Sequence, residues 1–568
     1  MPPLPKKAEE LYQTELPLFV NRIQSIEQPE DLENIYSQLK NLVLKPRKPA
    51  RKHRPRRYKQ FWSRRLDYLK SRRSKKYRQA SQAPVQQKPE LWAQYRGLDR
   101  QIRSLIQKNK RKSRNRLTEA LSSDDPHERS KVIKAALKHK NGEEAENSVS
   151  ELDLASFTRS VATPPGKGHI PPIVPFDMST HLERKVFGAI MSAKNNKATG
   201  TDELFNEAFK ITPPHFAKIL SLLWVQCSHL RYLLRDWRTA LLVPIYKRGP
   251  KNEPSSYRPI ALLSHGRQMI SKAIGAMIRT EYTFHPTQLG FREKAGTETA
   301  LIRHAASTSK GFKYTAVLDL KGAYPSVPRD KLMEKVNSKL SPQTAAMIAL
   351  ELQPETITTK GDISGTTATV TLGVPQGGSS SPPLYNIEMD SFCEMMESAR
   401  RKSTKDEEVD VSAFADDVKL RARTAAGLQG ALDICSRWAD QEDMSWGPPK
   451  CHVLEPEDRD LSQSGNLYFI GGEEIHIADS ASYLGVTLRG TKIDIDKNLD
   501  RIKSAMQRIG TLKAAGIHRK YTTSARLVEI CRTHVYPLAE YAIHLMPIDA
   551  FCKCPLSKKL ELLDYKVV

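Results

Sequence analysis

The stretch that most constrains this chain is Val411–Leu420, Val-Ser-Ala-Phe-Ala-Asp-Asp-Val-Lys-Leu. A short apolar run leads into two adjacent carboxylates, and a mostly apolar run leads out. That is the pattern of a β-hairpin with Asp416 and Asp417 at its tip. The apolar flanks fix the tip in a packed sheet. Two adjacent acids there repel each other unless a cation neutralises them. Hard divalent cations such as Mg²⁺ take oxygen ligands of this kind. Alone, the pair reads as a solvated turn, but a second carboxylate changes that reading. Tyr314–Val327 looks like a buried strand ending at Asp319, with an aromatic, Tyr324, just beyond it. Two strands that each deliver a carboxylate to one place give a two-metal site suited to in-line phosphoryl displacement.

Several further stretches follow in a fixed order. Asn195-Asn-Lys-Ala-Thr-Gly-Thr-Asp202 reads as a turn between helices. Trp237–Lys247 is a strand-like run ending in a lysine, and Ser255-Ser-Tyr-Arg-Pro-Ile-Ala-Leu-Leu-Ser264 comes after it. Gln288-Leu-Gly-Phe-Arg292 precedes a helix start at Thr297–Ala300. Gly373-Val-Pro-Gln-Gly-Gly-Ser-Ser-Ser-Pro-Pro-Leu-Tyr-Asn386 is the most specific loop, a turn whose glycines let the backbone approach a ligand closely. Met444-Ser-Trp-Gly-Pro-Pro-Lys450 and Ser482-Tyr-Leu-Gly-Val486 close the series.

In this combination the chain resembles the reverse transcriptases, with Phe414-Ala-Asp-Asp417 as the metal-binding box of the palm and Asp319 as its partner. The resemblance spans roughly residues 185–490. Tyr257-Arg-Pro-Ile, Leu262-Leu-Ser and Gly290-Phe-Arg look like the non-LTR retrotransposon (LINE-like) lineage. Group II intron reverse transcriptases or maturases share the Pro-Gln-Gly-Gly loop and stand second. A different class is a non-catalytic RNA-binding protein derived from a retroelement, which would be free to lose acids that repel each other.

The resemblance implies an α/β (α+β) right-hand polymerase, with fingers, an antiparallel palm sheet, a helical thumb and a basic helical N-terminal extension. It implies RNA-directed DNA polymerisation, transferring dNMP from a dNTP to a primer 3′-hydroxyl on an RNA template. Asp319, the Leu320 carbonyl and Asp416 would hold two Mg²⁺ ions, for which Mn²⁺ substitutes, with Asp417 beside them. Lys450 would sit near the triphosphate and protonate the leaving pyrophosphate. Lys247, Arg258, Gln376 and Gly377 would contact the nucleotide. Tyr324 would be the gate under the sugar that leaves no room for a 2′-hydroxyl. Two departures from the family pattern stand out. Pro325 occupies a place that is often acidic or polar, and Gly447-Pro-Pro replaces an Asn-rich form.

Charge supports a nucleic-acid partner. The 568 residues carry a formal net charge of +26. Between Asn41 and Ala120, 27 Lys and Arg stand against 4 acids, most of the whole excess. Clustered cations of this kind neutralise phosphates and release counterions. Arg51, Lys52, Arg54, Arg56, Arg57, Arg64, Arg65, Arg72 and Arg73 are the candidate phosphate contacts, interleaved with Tyr58, Phe61, Trp62 and Tyr68. The seven cysteines form no paired zinc spacing, and their odd number suggests a reducing compartment. No apolar run reaches membrane-spanning length. The expected setting is intracellular, with the nucleus inferred from the basic runs and no membrane partner.

The expected organisation is a helical segment at 1–40, a basic helical extension at 41–120 and a Pro- and Gly-punctuated linker at 121–180. Fingers at 181–310 and a palm at 311–490 follow, the reverse-transcriptase domain covering about 228–490, with a helical thumb from 491 that the chain end could truncate. No endonuclease domain is readable in this chain, so a primer or nick would come from elsewhere.

Overall fold

Apolar and polar residues alternate along Val409–Ala413 and Val418–Ala422, and this alternation of residue type sorts the two faces of the central sheet. In the computed structural model, the described residues are 7–45, 63–123, 125, 129–130, 132–134, 152–375, 377–456, 466–490, 492–493, 496–515, 517 and 523–541. The strands are β1 Thr239–Tyr246, β2 Tyr257–Leu262, β3 Tyr314–Asp319, β4 Glu355–Thr359, β5 Thr367–Val370, β6 Val409–Phe414, β7 Asp417–Ala422 and β8 His452–Leu454. Short strands follow: β9 Phe469–Ile470, β10 Glu473–Glu474, β11 His476–Ile477, β12 Ala481–Tyr483, β13 Val486–Arg489 and β14 Lys492–Ile493. Contacts divide the chain into two units: Met1–Lys48 with Ala145–Ile495, and Pro49–Glu144 with Asp496–Val568.

The first unit is built on the five-stranded sheet β11-β8-β3-β7-β6. Register decides what each face carries. Leu318, Val418 and Ala413 lie abreast, as do Ala316, Leu420 and Val411, so one face is wholly apolar. It joins the large core with the helices Ser381–Lys402 and Ala425–Gln441. Each fully buried Val or Leu there contributes about 1.5–3 kcal/mol. The other face is polar: Asp319 stands abreast of Asp417, Ser412 of Lys419, and Asp410 of Arg421. Arg421 reaches the carbonyls of His304 and Phe312 and the hydroxyls of Ser307 and Thr308, so the buried guanidinium is fully engaged.

The helix Ser381–Lys402 starts with prolines in its first turn and ends in Arg400, Arg401 and Lys402, opposite in sign to its C-terminal dipole. Thr424 caps the helix Ala425–Gln441 by accepting from the Gly427 amide at 3.0 Å. A four-stranded sheet, β2-β1-β4-β5, forms a second layer, with β1 antiparallel to β2 and parallel to β4.

Two departures from the expected organisation have local causes. The helices Lys7–Gln24 and Pro29–Leu44 are part of the first unit, and the second runs past residue 40. Leu32, Ile35, Tyr36 and Leu39 bury as their helical spacing predicts. The Tyr36 hydroxyl donates to Asp202 at 2.8 Å and accepts from Trp237 Nε1 at 2.9 Å, joining the N-terminal helices to the Asn195–Asp202 turn. The stretch expected as a linker contains the helix Leu154–Ser160. Asp153 caps it, and Phe157 packs edge-on to Tyr257 at 6.3 Å.

In the second unit, Ser63 caps the helix Arg64–Gln82, which pairs with the helix Lys88–Ser122. Leu66, Leu69 and Ile102 are buried, with Leu98, Leu105 and Ile106 against them. Further helices of this unit include Asp496–Ala514, Ser524–His534 and Tyr536–Glu540. Arg129, almost wholly buried, pairs with Glu529 at 2.8 Å. Basic stretch and C-terminal helices, distant in sequence, therefore fold as one unit. No helix among the described residues is long and apolar enough to cross a membrane.

Candidate active site

β6 and β7 form a tight hairpin in which Phe414 pairs with Asp417, leaving Ala415 and Asp416 as the turn. The tip is thus one residue earlier than the acidic pair suggests. Asp416 projects from the turn, and Asp417 is already in the strand, paired with Asp319 across β3–β7. Ala415 has φ 56°, a left-handed value that two-residue hairpin turns require and that usually calls for glycine or asparagine.

The three carboxylates are electrostatically coupled. Burial, then Asp416, then Asp319, push the Asp417 carboxyl up to about 6. Burial, with Asp319 as a further cause, also raises Asp416, against the lowering effects of Arg258 and Lys450. Asp416 and Asp417 thus resist ionisation here, and a cation would relieve them.

Cations surround it on one side. Lys450 Nζ lies 3.0 Å from Asp319 Oδ2. The Gly447-Pro-Pro insert places it there. The Gly447 amide donates to the Asp319 carbonyl at 2.8 Å, and Pro448–Lys450 make a single tight turn on that anchor. Lys247 and Arg258 come from β1 and β2. Arg258 pairs with Ile245, and the Lys247 amide donates to the Ser256 carbonyl, so both side chains lie on one face of the ribbon. Both are exposed. Burial and then the charges of Arg258 and Lys450 depress Lys247, while Asp319 opposes them, which places these four groups around one space. Leu320 is buried and bridges Trp446, which extends the same anchor.

Tyr324 lies face to face with Tyr385, ring centroids 4.9 Å apart and planes 8° from parallel. Burial, then the Asp416 charge, raise its phenol. The specific loop docks against this aromatic. The Gly373 amide donates to the Val327 carbonyl and the Val374 amide to the Tyr324 carbonyl, each at 2.9 Å. Pro325 sits directly under Gly373, where an added Cβ would come within 2.5 Å of the Pro325 Cα. Gly377 has φ 140°, and a Cβ would lie 2.4 Å from the Ala261 carbonyl oxygen, so no other residue fits. Gln376 lies outside the described residues.

Beside Gly377 opens a cleft of about 490 Å³ between the Lys194–Ala198 turn, β2 and the helix His265–Glu281. Lys194, Lys197 and Lys272 line it.

Of the basic candidates, Arg51, Lys52, Arg54, Arg56 and Arg57 lie outside the described residues, and of Arg64 only the helical backbone is described. Arg65 and Arg72 are exposed on the helix Arg64–Gln82, while Arg73 is paired with Asp99 at 2.7 Å. Gln288 is a site residue whose place the sequence did not reveal. Its motif reads as fingers on the template side, yet the side chain lies under the hairpin, 3.1 Å from the Ala415 amide.

Residues 247–488 match the family described as reverse transcriptase (RNA-dependent DNA polymerase). Over this stretch the chain is similar to the reverse transcriptases of LINE-like elements. The RNA-directed DNA polymerase from mobile element jockey of Drosophila melanogaster is 26% identical over 355 residues, 59% of this chain and 38% of that one. The Pol polyprotein from type-1 retrotransposable element R2 of Nasonia vitripennis is 28% identical over 306 residues, 49% of this chain and 29% of that one. The chain therefore spans well under half the length of these relatives. Among solved structures, apo telomerase from Candida tropicalis covers 59% of this chain at 11% identity with a TM-score of 0.36, a likeness too loose to argue from.

The carboxylate cluster offers an open donor set. Among the described residues no three of His, Cys, Asp and Glu close into a metal cage. Mg²⁺ characteristically binds one or two carboxylates and completes its shell with water and substrate phosphates. Asp319, Asp416 and Asp417, crowded together, with burial holding Asp416 and Asp417 above the usual carboxylate range, fit that pattern.

Proposed function

We propose that this chain is an RNA-directed DNA polymerase that extends a primer 3′-hydroxyl with dNTPs on an RNA template. The observation that carries the reading is the convergence of Asp319, Asp416 and Asp417 at the end of one sheet, with Lys247, Arg258 and Lys450 facing them.

Asp319 and Asp416, with the Leu320 carbonyl, would hold two Mg²⁺ ions, and Asp417 would complete the negative wall. When bound, such ions lower the pKa of the attacking hydroxyl and neutralise the triphosphate. The chain's own groups do the rest. Lys247 and Arg258 grip phosphate oxygens, Arg by a forked pair of donors. Lys450 supplies a proton to the leaving pyrophosphate. Tyr324, braced by Tyr385, walls off the space a 2′-hydroxyl would need. Gly377 brings backbone close to the nascent pair, and Gln376 is assigned there on its motif alone.

The central sheet would be the palm, the sheet carrying Lys247 and Arg258 part of the fingers, and the helices from Asp496 the thumb. The lysine-lined cleft beside Gly377 suits the incoming template strand, since its cations match a phosphate backbone. The basic helical pair supplies further nucleic-acid affinity, and the charge distribution is consistent with work in the nucleus.

The test is incorporation of dTTP on poly(rA)/oligo(dT), beside the same assay with poly(dA) as template. Extension on the RNA template supports the reading. Absence of extension with poly(rA) still bound would move the chain to a non-catalytic RNA-binding role.

A further inference from the structure

The hairpin that presents Asp416 is held from below by one buried side chain. Gln288 has no exposed surface. Its Oε1 accepts from the Ala415 amide at 3.1 Å and from the Gly290 amide at 3.0 Å. Two N–H donors converging on one atom fix the amide orientation, because only the oxygen can accept. Around this contact the backbone of Thr287–Leu289 runs parallel to β6. The Leu289 amide donates to the Ala413 carbonyl at 2.7 Å, and the Ala413 amide donates to the Thr287 carbonyl at 3.0 Å. Gly290 lies so close that a Cβ would approach the Ala415 nitrogen to 2.5 Å. Asn386 Nδ2 clamps the Gly290 carbonyl at 2.8 Å.

The contact matters because of where it falls. Ala415 carries the unfavourable positive φ, and a non-glycine residue holds such a conformation only where its surroundings over-determine it. The amide gripped by Gln288 is the peptide link into Ala415, one residue before Asp416. Without the acceptor, the Ala415 and Gly290 amides lose their buried partner, and the turn is released to other conformers. Asp416 would then leave its aim while Asp319 and Asp417, held by the ladder, keep theirs.

We propose that Gln288 is a positioning residue for the polymerase reaction: it locks the left-handed turn at Ala415 and so sets the direction of the Asp416 carboxylate. The inference rests on the proposed polymerase reading, and wild-type extension on poly(rA)/oligo(dT) is the control that tests that reading separately.

The experiment compares wild type with Gln288→Met, which keeps the volume without an acceptor, and Gln288→Asn, which keeps an amide too short to reach. Single-turnover extension gives kcat and KM for dTTP and for the primer–template. Electron paramagnetic resonance gives Mn²⁺ affinity in complexes with a dideoxy-terminated primer and dTTP, where no chemistry occurs. The expected result is a fall in kcat of about 10- to 100-fold in both variants, as for a misplacement of about 1 Å. Primer–template KM should stay within about twofold, and Mn²⁺ should bind more weakly. Adding Ala415→Gly to Gln288→Met should restore part of kcat, since glycine adopts the turn unaided. Wild-type kcat in a folded Gln288→Met would overturn the proposal. So would a loss confined to primer–template KM with unchanged Mn²⁺ affinity. If the Met variant does not fold, Gln288→Asn decides by the same readouts.

Discussion

Asp319 and Asp417 stand directly opposite each other across the β3–β7 ladder. Neighbouring strands are about 4.8 Å apart, so two like charges are held in near contact by backbone register alone. The sheet's apolar face supplies the stability that tolerates this, and the acids in turn define where cationic groups collect. Stability and function therefore oppose each other at this pair.

The first prediction follows from that opposition. The Asp417 carboxyl is raised to about 6, against about 3.9 in an unfolded chain. Between these values the folded state binds the extra proton. The stabilising contribution is complete below about pH 4 and is lost as pH rises through about 6. Asp417→Asn should therefore stabilise the metal-free protein at pH 7.5, by on the order of 1 kcal/mol after solvent screening, and flatten Tm against pH in this window. A Tm at pH 7.5 equal to or below wild type, with the pH dependence intact, would contradict it.

Lys450 is mostly exposed, and its ion pair is with Asp319. Its removal should spare folding and act on chemistry. Lys450→Ala should lower kcat by about 100-fold, with a smaller change in KM for dNTP. A raised KM with unchanged kcat would make Lys450 a phosphate clamp instead of a proton donor.

Tyr385 lies flat against Tyr324, which suits Tyr324 to the proposed place under the sugar. A stacked pair of this kind is worth about 0.5–1.5 kcal/mol beyond its buried area, enough to keep the ring from swinging away. Tyr324→Val should let ribonucleotides in, narrowing the preference for dTTP over UTP by at least about tenfold. Unchanged discrimination would place the gate elsewhere.

What the sequence made legible was periodicity and local chemistry. Alternation around Phe414–Asp417 and along Tyr314–Asp319 was enough to bring three carboxylates together, because strand register is a period-two property. The lysine of Met444–Lys450 was legible as a candidate, but its aim comes from Gly447 gripping the Asp319 carbonyl, a contact no spacing encodes. Gln288 looked like part of a template-side motif, and only the tertiary fold puts it beneath Ala415. The same holds for Tyr36 reaching Asp202 and for Arg129 reaching Glu529, where the polar partners lie 166 and 400 residues away. A helix signals its buried face, not what will cover it.

The basic helical pair gives a prediction about binding. Arg65, Arg72, Arg96 and Arg100 are exposed. Changing all four to Gln should leave the apolar seam between the helices intact. If each neutralises one phosphate, the slope of log affinity against log salt should fall by about 3. Poly(rA) titrations between low and moderate salt would measure it, and an unchanged slope would remove this surface from the binding account.

The most direct test of the central claim is primer extension on poly(rA)/oligo(dT) with dTTP and Mg²⁺, wild type beside Asp416→Asn, with RNA binding measured in parallel. The account predicts extension by wild type, none above background by the variant, and nearly equal RNA affinity. Equal extension by both proteins would contradict the assignment of Asp416 to the reacting centre.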